Sequence, residues 1–268
     1  MKSLLIFYLI LLTSIACLQA QVVNTEKLRT DDRDKNFLTD INLTLGASSN
    51  KAGQTLRYGF RARLEYLYDR QKLLLFGGAD LTQFTSRSVD ATPVNFTNKQ
   101  YAHLRYNYDF TPTITGEAFS QYQFDQIQLI KNRVLSGVGS RFRVAESDSF
   151  SLYLGLIYMY EYEEEFQNTT EPKPTLRDEI NRDHRLSTYV SLAFLIQDYV
   201  SINHVTYYQP RVDQFSDYRI LSETELDIAV NENISLTTYF QYIYDSRPPD
   251  PVVPRTMYSI TTGLGIKI

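Results

Sequence analysis

Phe150-Ser151-Leu152-Tyr153-Leu154-Gly155-Leu156-Ile157-Tyr158-Met159-Tyr160-Glu161-Tyr162 is the stretch on which the reading of the fold turns. Phe150, Leu152, Leu154, Leu156, Tyr158, Tyr160 and Tyr162 take every second position, and Ser151, Tyr153, Gly155, Met159 and Glu161 stand between them. Side chains alternate across a strand with a period of two, whereas a helix of about 3.6 residues per turn would scramble the two sets. The segment reads as a strand with one apolar face and one mixed, more polar face.

The same pattern recurs on both sides of it. Strands are expected near 37 to 47, 55 to 68, 73 to 85, 96 to 108, 114 to 125 and 133 to 144, and then near 149 to 162, 180 to 195, 199 to 209, 217 to 230, 234 to 245 and 257 to 268. The third is the least regular: Leu73, Leu74, Leu75 and Phe76 are consecutive, and Gly77-Gly78 invites a bulge. Tight turns rich in turn formers fall at Asp69 to Lys72, Phe110 to Thr113, Ala145 to Asp148, Ile196 to Asp198 and Asn231 to Asn233. Between them lie longer loops, notably Ser86 to Asn95, Glu163 to Glu179 and Ser246 to Thr256. An even strand count, short turns on one rim and long loops on the other describe an all-β, transmembrane, antiparallel up-and-down barrel of about twelve strands with both termini periplasmic.

If odd strands rise from the periplasm, each aromatic acquires a height. Tyr66, Tyr68, Tyr106, Tyr108, Phe142, Phe150, Phe194 and Tyr199 fall at the lower rim, and Phe96, Tyr122, Phe124, Tyr158, Tyr160, Tyr208, Tyr218, Tyr242, Tyr244 and Tyr258 at the upper. Between them the outward positions are aliphatic or small, as at Leu104, Ala118, Val138, Leu154, Val190, Ile202, Leu226, Leu236 and Ile260. Two interfacial girdles flanking an apolar band are expected of a membrane barrel, and a soluble sandwich has no reason to sort its aromatics by height.

Composition agrees. A chain of 268 residues, 43% hydrophobic and 22% charged, is too apolar to be disordered. Its single cysteine, Cys17, excludes a disulfide framework and a cysteine-built metal site, and a net charge of −4 without a basic tract leaves no footprint for nucleic acid. A mean hydropathy of −0.30 excludes a helical membrane bundle but says nothing against alternating strands. At the amino terminus, Lys2, the apolar run Leu4 to Ala16 and Cys17-Leu18-Gln19-Ala20 read as a secretory signal peptide, residues 1–20, with cleavage after Ala20 favoured over lipidation at Cys17. Residues 21–36 read as a periplasmic tail and 37–268 as the barrel, localised in the outer membrane of a Gram-negative cell. The ending Thr261-Thr262-Gly263-Leu264-Gly265-Ile266-Lys267-Ile268 resembles the carboxy-terminal signal read by the barrel-assembly machinery, with Ile268 where an aromatic is usual.

The inward positions are ionic. Arg57, Arg61, Arg63, Arg105, Arg133, Arg141 and Arg219 stand against Glu117, Glu161, Glu223, Glu225, Asp227 and Asp245 as lumen-lining candidates, with Lys99, Arg143, Arg185, Asp125 and Asp183 also on this face. Matching apolar faces across three tight turns sets Tyr108 against Ile114, Val144 against Phe150 and Val230 against Ile234. Arg105 then opposes Glu117, Arg133 opposes Glu161 and Arg219 opposes Asp245, each pair contributing about 0.2–1 kcal/mol. These ions either hold a wet wall together or form a narrow pore in which the Arg57, Arg61 and Arg63 ladder faces the Glu223, Glu225 and Asp227 ladder.

Chemistry is sparse. Of three histidines, His204 falls on an outward position among Ser201, Asn203 and Thr206, where a nucleophilic pair is conceivable but no orienting third residue is placed. The carboxylates from Glu161 through Glu163, Glu164 and Glu165 to Glu171 read as a solvated outer loop that offers oxygen ligands for Ca²⁺ or Mg²⁺ bridging lipopolysaccharide, without a fixed ligand spacing. No catalytic residue, metal or cofactor is assigned.

His103-Leu104-Arg105-Tyr106-Asn107-Tyr108-Asp109-Phe110, Phe124-Asp125, Arg133 to Gly139, Leu154 to Tyr162, Arg185-Leu186-Ser187, Tyr208-Gln209-Pro210 and Asp217-Tyr218-Arg219 together resemble the salt-induced outer-membrane proteins, a Gram-negative family of unknown function. The resemblance covers most of the chain after the signal and implies an integral outer-membrane barrel, with no activity, substrate or catalytic residue attached. The expected function is a non-enzymatic barrel acting as a narrow passive channel or an envelope-stability component in osmotic or salt response. Its expected partners are outer-membrane lipid, lipopolysaccharide and the assembly machinery. The alternative is a lipid- or lipopolysaccharide-modifying enzyme using His204 or another exposed polar group.

Overall fold

A computed structural model describes residues 36–49, 53–86, 95–166, 180–197, 199–231, 234–251 and 253–266. The signal peptide, the tail up to residue 35, most of the loops at 87–94 and 167–179, and the final Lys267-Ile268 of the carboxy-terminal signal lie outside the described residues. The strands are β1 Phe37–Ser49, β2 Gly53–Tyr68, β3 Gln71–Ser86, β4 Asn95–Thr111, β5 Ile114–Asp125, β6 Ile130–Ser147, β7 Phe150–Glu165, β8 Ile180–Gln197, β9 Val200–Pro210, β10 Tyr218–Ala229, β11 Ile234–Asp245 and β12 Thr256–Ile266. They form one twelve-stranded antiparallel meander in sequence order.

The sheet curls on itself, because interior side chains bridge strands that are not neighbours. Tyr189 on β8 donates its hydroxyl to Glu117 on β5 at 2.8 Å, and Arg219 on β10 donates to Glu161 on β7 at 2.6 Å. No ladder joins β1 to β12 among the described residues, and the seam of the barrel lies between these two strands.

Exposure divides the two faces as a membrane requires. Tyr66, Tyr106, Phe142 and Phe194 lie exposed near the turn-bearing rim, Tyr122, Tyr158, Tyr160 and Tyr258 near the other, and Leu104, Val138, Leu154 and Val190 between them. Arg105, Arg133, Arg185 and Arg219 are at the same time among the largest fully buried side chains. Lipid outside and ions inside is the inverse of a water-soluble core.

Local chemistry explains most of the turns. Asp69, at φ 52, closes β2 on β3 in a left-handed conformation that Asp tolerates well. The connection from β5 to β6 departs from the expected long outer loop. Gln126–Leu129 is a four-residue turn in which Asp125 Oδ1 accepts from the backbone of Ile127 at 3.0 Å and Gln128 at 3.1 Å. One aspartate thus does the work of a loop at this point of the outer rim.

Two hairpin registers differ from expectation. Tyr108 faces Gly116 and Arg105 faces Phe119, because the ladder shifts between Asp109 and Thr111. Phe150 faces Ser147 because the strands run up to a two-residue turn, and after one shift at Arg143/Ala145 Arg133 faces Glu163; a second shift follows at Ile130/Asn132. The third is as expected: Arg219 faces Asp245, and Val230 N–H donates to the Ile234 carbonyl at 2.8 Å. β3, by contrast, carries no bulge at Gly77-Gly78; both its ladders run through without a shift, with Leu74 and Phe76 buried and Leu73 and Leu75 exposed.

Candidate functional site

Among the described residues most of the buried charged side chains converge in the interior, which is layered along the barrel axis. On the extracellular side Glu161 is the hub. It accepts from Arg185 Nε at 2.8 Å and Arg219 Nη1 at 2.6 Å, and lies 3.4 Å from Arg133 Nε. Arg133 also pairs with Glu163, Arg219 reaches Asp245 at 2.8 Å and Glu163 at 3.5 Å, and Arg185 binds Asp183 at 3.2 Å and Asp217 at 3.1 Å. Glu161 and Arg185 are 0% exposed, which means that no water-sized path touches the centre of this network. Charges so deeply buried are tolerable only when each has several partners.

Below it lies an apolar layer. Phe119, Leu135, Ile157, Met159, Tyr189, Val205, Tyr207, Leu221, Ile243 and Met257 form one buried cluster drawn from β5 through β12. The Tyr189 ring lies where a side chain at Gly155 would be, with 1.9 Å left for a Cβ, so the bare backbone of β7 lets an aromatic cross it. His103, 0% exposed, sits between the rings of Phe76 at 4.7 Å and Phe119 at 5.3 Å, with Nδ1 bonded to Gln121 at 2.9 Å. Nothing in the sequence reading anticipated this layer.

The lower layer is ionic again. Arg105 lies 3.8 Å from Glu117 on a diagonal and 5.7 Å from the Phe119 ring. Glu65 pairs with Arg63 and Lys72, and the Arg141 guanidinium lies 3.5 Å over the ring of Tyr153. Beneath this layer a cavity of about 350 Å³ opens at the periplasmic rim, lined by Asn36, Asp69, Arg70, Arg141, Arg143, Tyr153 and Asn203 among others.

The two ladders occupy the β2 and β10 walls. Arg57, Arg61, Glu225 and Asp227 are half-buried, whereas Arg63 and Glu223 are buried. Glu223 accepts from Tyr239 and, at 2.6 Å, from Gln241 Nε2, and Asp227 accepts from Thr237 Oγ1 at 2.5 Å. Water therefore reaches this side of the lumen, as it reaches the cavity at the lower rim, and not the network around Glu161.

Two expectations are corrected. Glu161, Glu163, Glu164 and Glu165 are not loop residues: they end β7, with Glu161, Glu163 and Glu165 buried and Glu164 on the outer wall. Arginines occupy Glu161 and Glu163, so these carboxylates are not a solvated cation loop; Glu171 lies outside the described residues. His204 does not gather Ser201 and Asn203, which turn to the other face. Both its ring nitrogens are taken by hydroxyls, Nδ1 with Thr224 at 2.8 Å and Nε2 with Thr206 at 3.0 Å, and no carboxylate orients it. Outside the barrel wall, the loop after β9 carries a forked pair in which Arg211 donates to Asp213 at 3.0 and 2.7 Å, and these bonds hold the Asp213 carboxyl below the usual carboxylate range.

A family model described as "Protein of unknown function, DUF481" matches residues 39–268. No curated protein sequence matches the chain. Among solved structures, a NanC porin is 12% identical with a TM-score of 0.46, covering 87% of this chain and 99% of that one. A KdgM porin in complex with disordered oligogalacturonate is 10% identical with a TM-score of 0.45, covering 86% and 99%. The COG4313 outer membrane channel from Pseudomonas putida F1 is 9% identical with a TM-score of 0.47, covering 86% and 94%. The barrel described above rests on this chain's own ladders and side-chain sorting.

Proposed function

The chain belongs to the DUF481 family, a family of unknown function, and from that premise we propose that it is a non-enzymatic outer-membrane barrel whose lumen is held shut by its own side chains. The observation that carries this reading is the stacking of a buried ionic network on a buried apolar cluster across β5 to β12, above a cavity that opens at the periplasmic rim. A wall cross-linked through Glu161 resists deformation, which suits an envelope-stability component under osmotic or salt load. A signal peptide cleaved after Ala20 and insertion by the barrel-assembly machinery complete the proposal.

A second reading has its own support. The half-buried Arg57, Arg61, Glu225 and Asp227 leave a narrow wet strip on the β2 and β10 side, suited to a small charged or zwitterionic solute. Planar-bilayer recording distinguishes the two. The closed barrel predicts a silent wild type and discrete conductance steps after Phe119→Ala and Tyr189→Ala are combined with Glu161→Ala, which thin the apolar layer and break the ionic network above it. Steady steps in the wild type, altered by Arg61→Gln, would overturn it in favour of the narrow channel.

A further inference from the structure

We propose that the outer-leaflet rim of β6 to β8 binds the phosphate group of a membrane lipid. The argument begins with a sorting of charge. Among the described strand residues every lysine and arginine turns inward except Lys131 and Arg182, and these two flank the same strand, β7, on its outer face. They do so near the same end of β7, Lys131 beside the level of Glu164 and Arg182 two residues lower at Tyr162.

The patch is built rather than scattered. Lys131 stands on the shift between Ile130 and Asn132, its side chain 50% exposed, and donates Nζ to Glu164 Oε1 at 2.5 Å. Asn132 Nδ2 donates to the other Glu164 oxygen at 2.8 Å and its Oδ1 accepts from the Tyr122 hydroxyl at 3.0 Å. Glu164 is thereby fully engaged. Arg182 lies 5.6 Å over the Tyr162 ring and has no carboxylate within ion-pair distance among the described residues. Stacking uses the face of a guanidinium and leaves its N–H edges to hydrogen-bond, the geometry that suits a phosphate. Just below, the Tyr158 hydroxyl meets His184 Nδ1 at 2.7 Å, which adds further polar groups at the same rim.

Position selects the source of the phosphate. The cations sit level with the upper tyrosine girdle, where headgroups lie, and the wall beneath them is a run of exposed aliphatics, Val134, Val138, Leu154 and Leu156. Acyl chains would cover that run and a free anion would gain nothing from it. A cation facing hydrocarbon is costly, and one facing a headgroup phosphate is not.

The test uses the full barrel in nanodiscs of a phosphate-free galactolipid doped either with bisphosphorylated lipid A or with its dephosphorylated form, with retained lipid counted by native mass spectrometry. The expected result is several-fold preferential retention of the phosphorylated form, lost in Lys131→Gln and Arg182→Gln, only partly kept in Arg182→Lys, which keeps the charge and not the fork, and unchanged in Arg247→Gln on an outer loop. Folding of each variant is checked by the heat-dependent shift on a gel. Equal retention of the two lipids, equal retention by wild type and Arg182→Gln, or displacement by millimolar inorganic phosphate, which marks an adventitious ion only, would overturn the proposal.

Discussion

Glu161→Gln is expected to lower the unfolding free energy of the barrel by about 3–5 kcal/mol, the usual consequence of removing one member of a buried ionic cluster. The side chain is fully buried and answers three arginines: Arg185 at 2.8 Å, Arg219 at 2.6 Å and Arg133 at 3.4 Å. Glutamine fills the space but takes away the charge, so three guanidiniums are left with Glu163, Asp183, Asp217 and Asp245 alone. The measurement is urea unfolding of the protein in lipid vesicles, read by the folded and unfolded bands on a cold gel. Glu225→Gln is the reference, because a half-buried carboxylate on the wet side should cost about 1 kcal/mol or less. Equal costs for the two variants would mean that the interior is uniformly wet and that the network around Glu161 seals nothing.

Val138→Arg is expected to cost about 2–4 kcal/mol, the penalty for arginine facing lipid near the bilayer midplane of a barrel. Val138 lies near the middle of β6 (Ile130–Ser147), on its outer face, and is 62% exposed. In a water-soluble sheet an exposed Val→Arg substitution would be close to neutral, so the sign of the result separates the two solvents. The same unfolding assay reads it, and Val144→Arg, on the same strand but close to its periplasmic end, should cost less because the penalty falls toward the interface.

Most of the fold was legible in the sequence, and the exceptions share a cause. β7 and β8 were readable because lipid and lumen impose opposite chemistries on alternate residues. The Arg219 to Asp245 register was readable because the turn between β10 and β11 is short and its strands carry no shift. The registers of β4 with β5 and β6 with β7 were not, since the shifts at Asp109/Thr111, Ile130/Asn132 and Arg143/Ala145 insert residues that leave no mark in an alternating pattern. Glu163 and Glu165 were misread as loop because Glu163-Glu164-Glu165 carries no alternation, although β7 runs on to Glu165.

The interior was half legible. Its charges stood out because ions on one face of a strand are conspicuous, yet Arg185, which gathers Glu161, Asp183 and Asp217, was not singled out from the other inward arginines. The apolar layer stayed hidden because at its level both faces are apolar. Leu156-Ile157-Tyr158-Met159 contributes Leu156 and Tyr158 to the lipid and Ile157 and Met159 to the core, and the contrast that announces a strand disappears there. A signal existed: Leu135, Ile157, Val205, Leu221 and Ile243 all occupy inward positions near one height, and charge is missing from them.

The protein has no tryptophan, so a single introduced one reports without background. Tyr239 and Phe240 are neighbours on β11, Tyr239 buried inside and Phe240 exposed outside. With the protein in bilayers of lipid brominated near the acyl-chain centre, Phe240→Trp fluorescence is expected to be strongly quenched and Tyr239→Trp fluorescence to be nearly unaffected. Quenching of Tyr239→Trp with Phe240→Trp untouched, or equal quenching of both, would contradict a barrel that shows its greasy face to lipid and keeps its ions within.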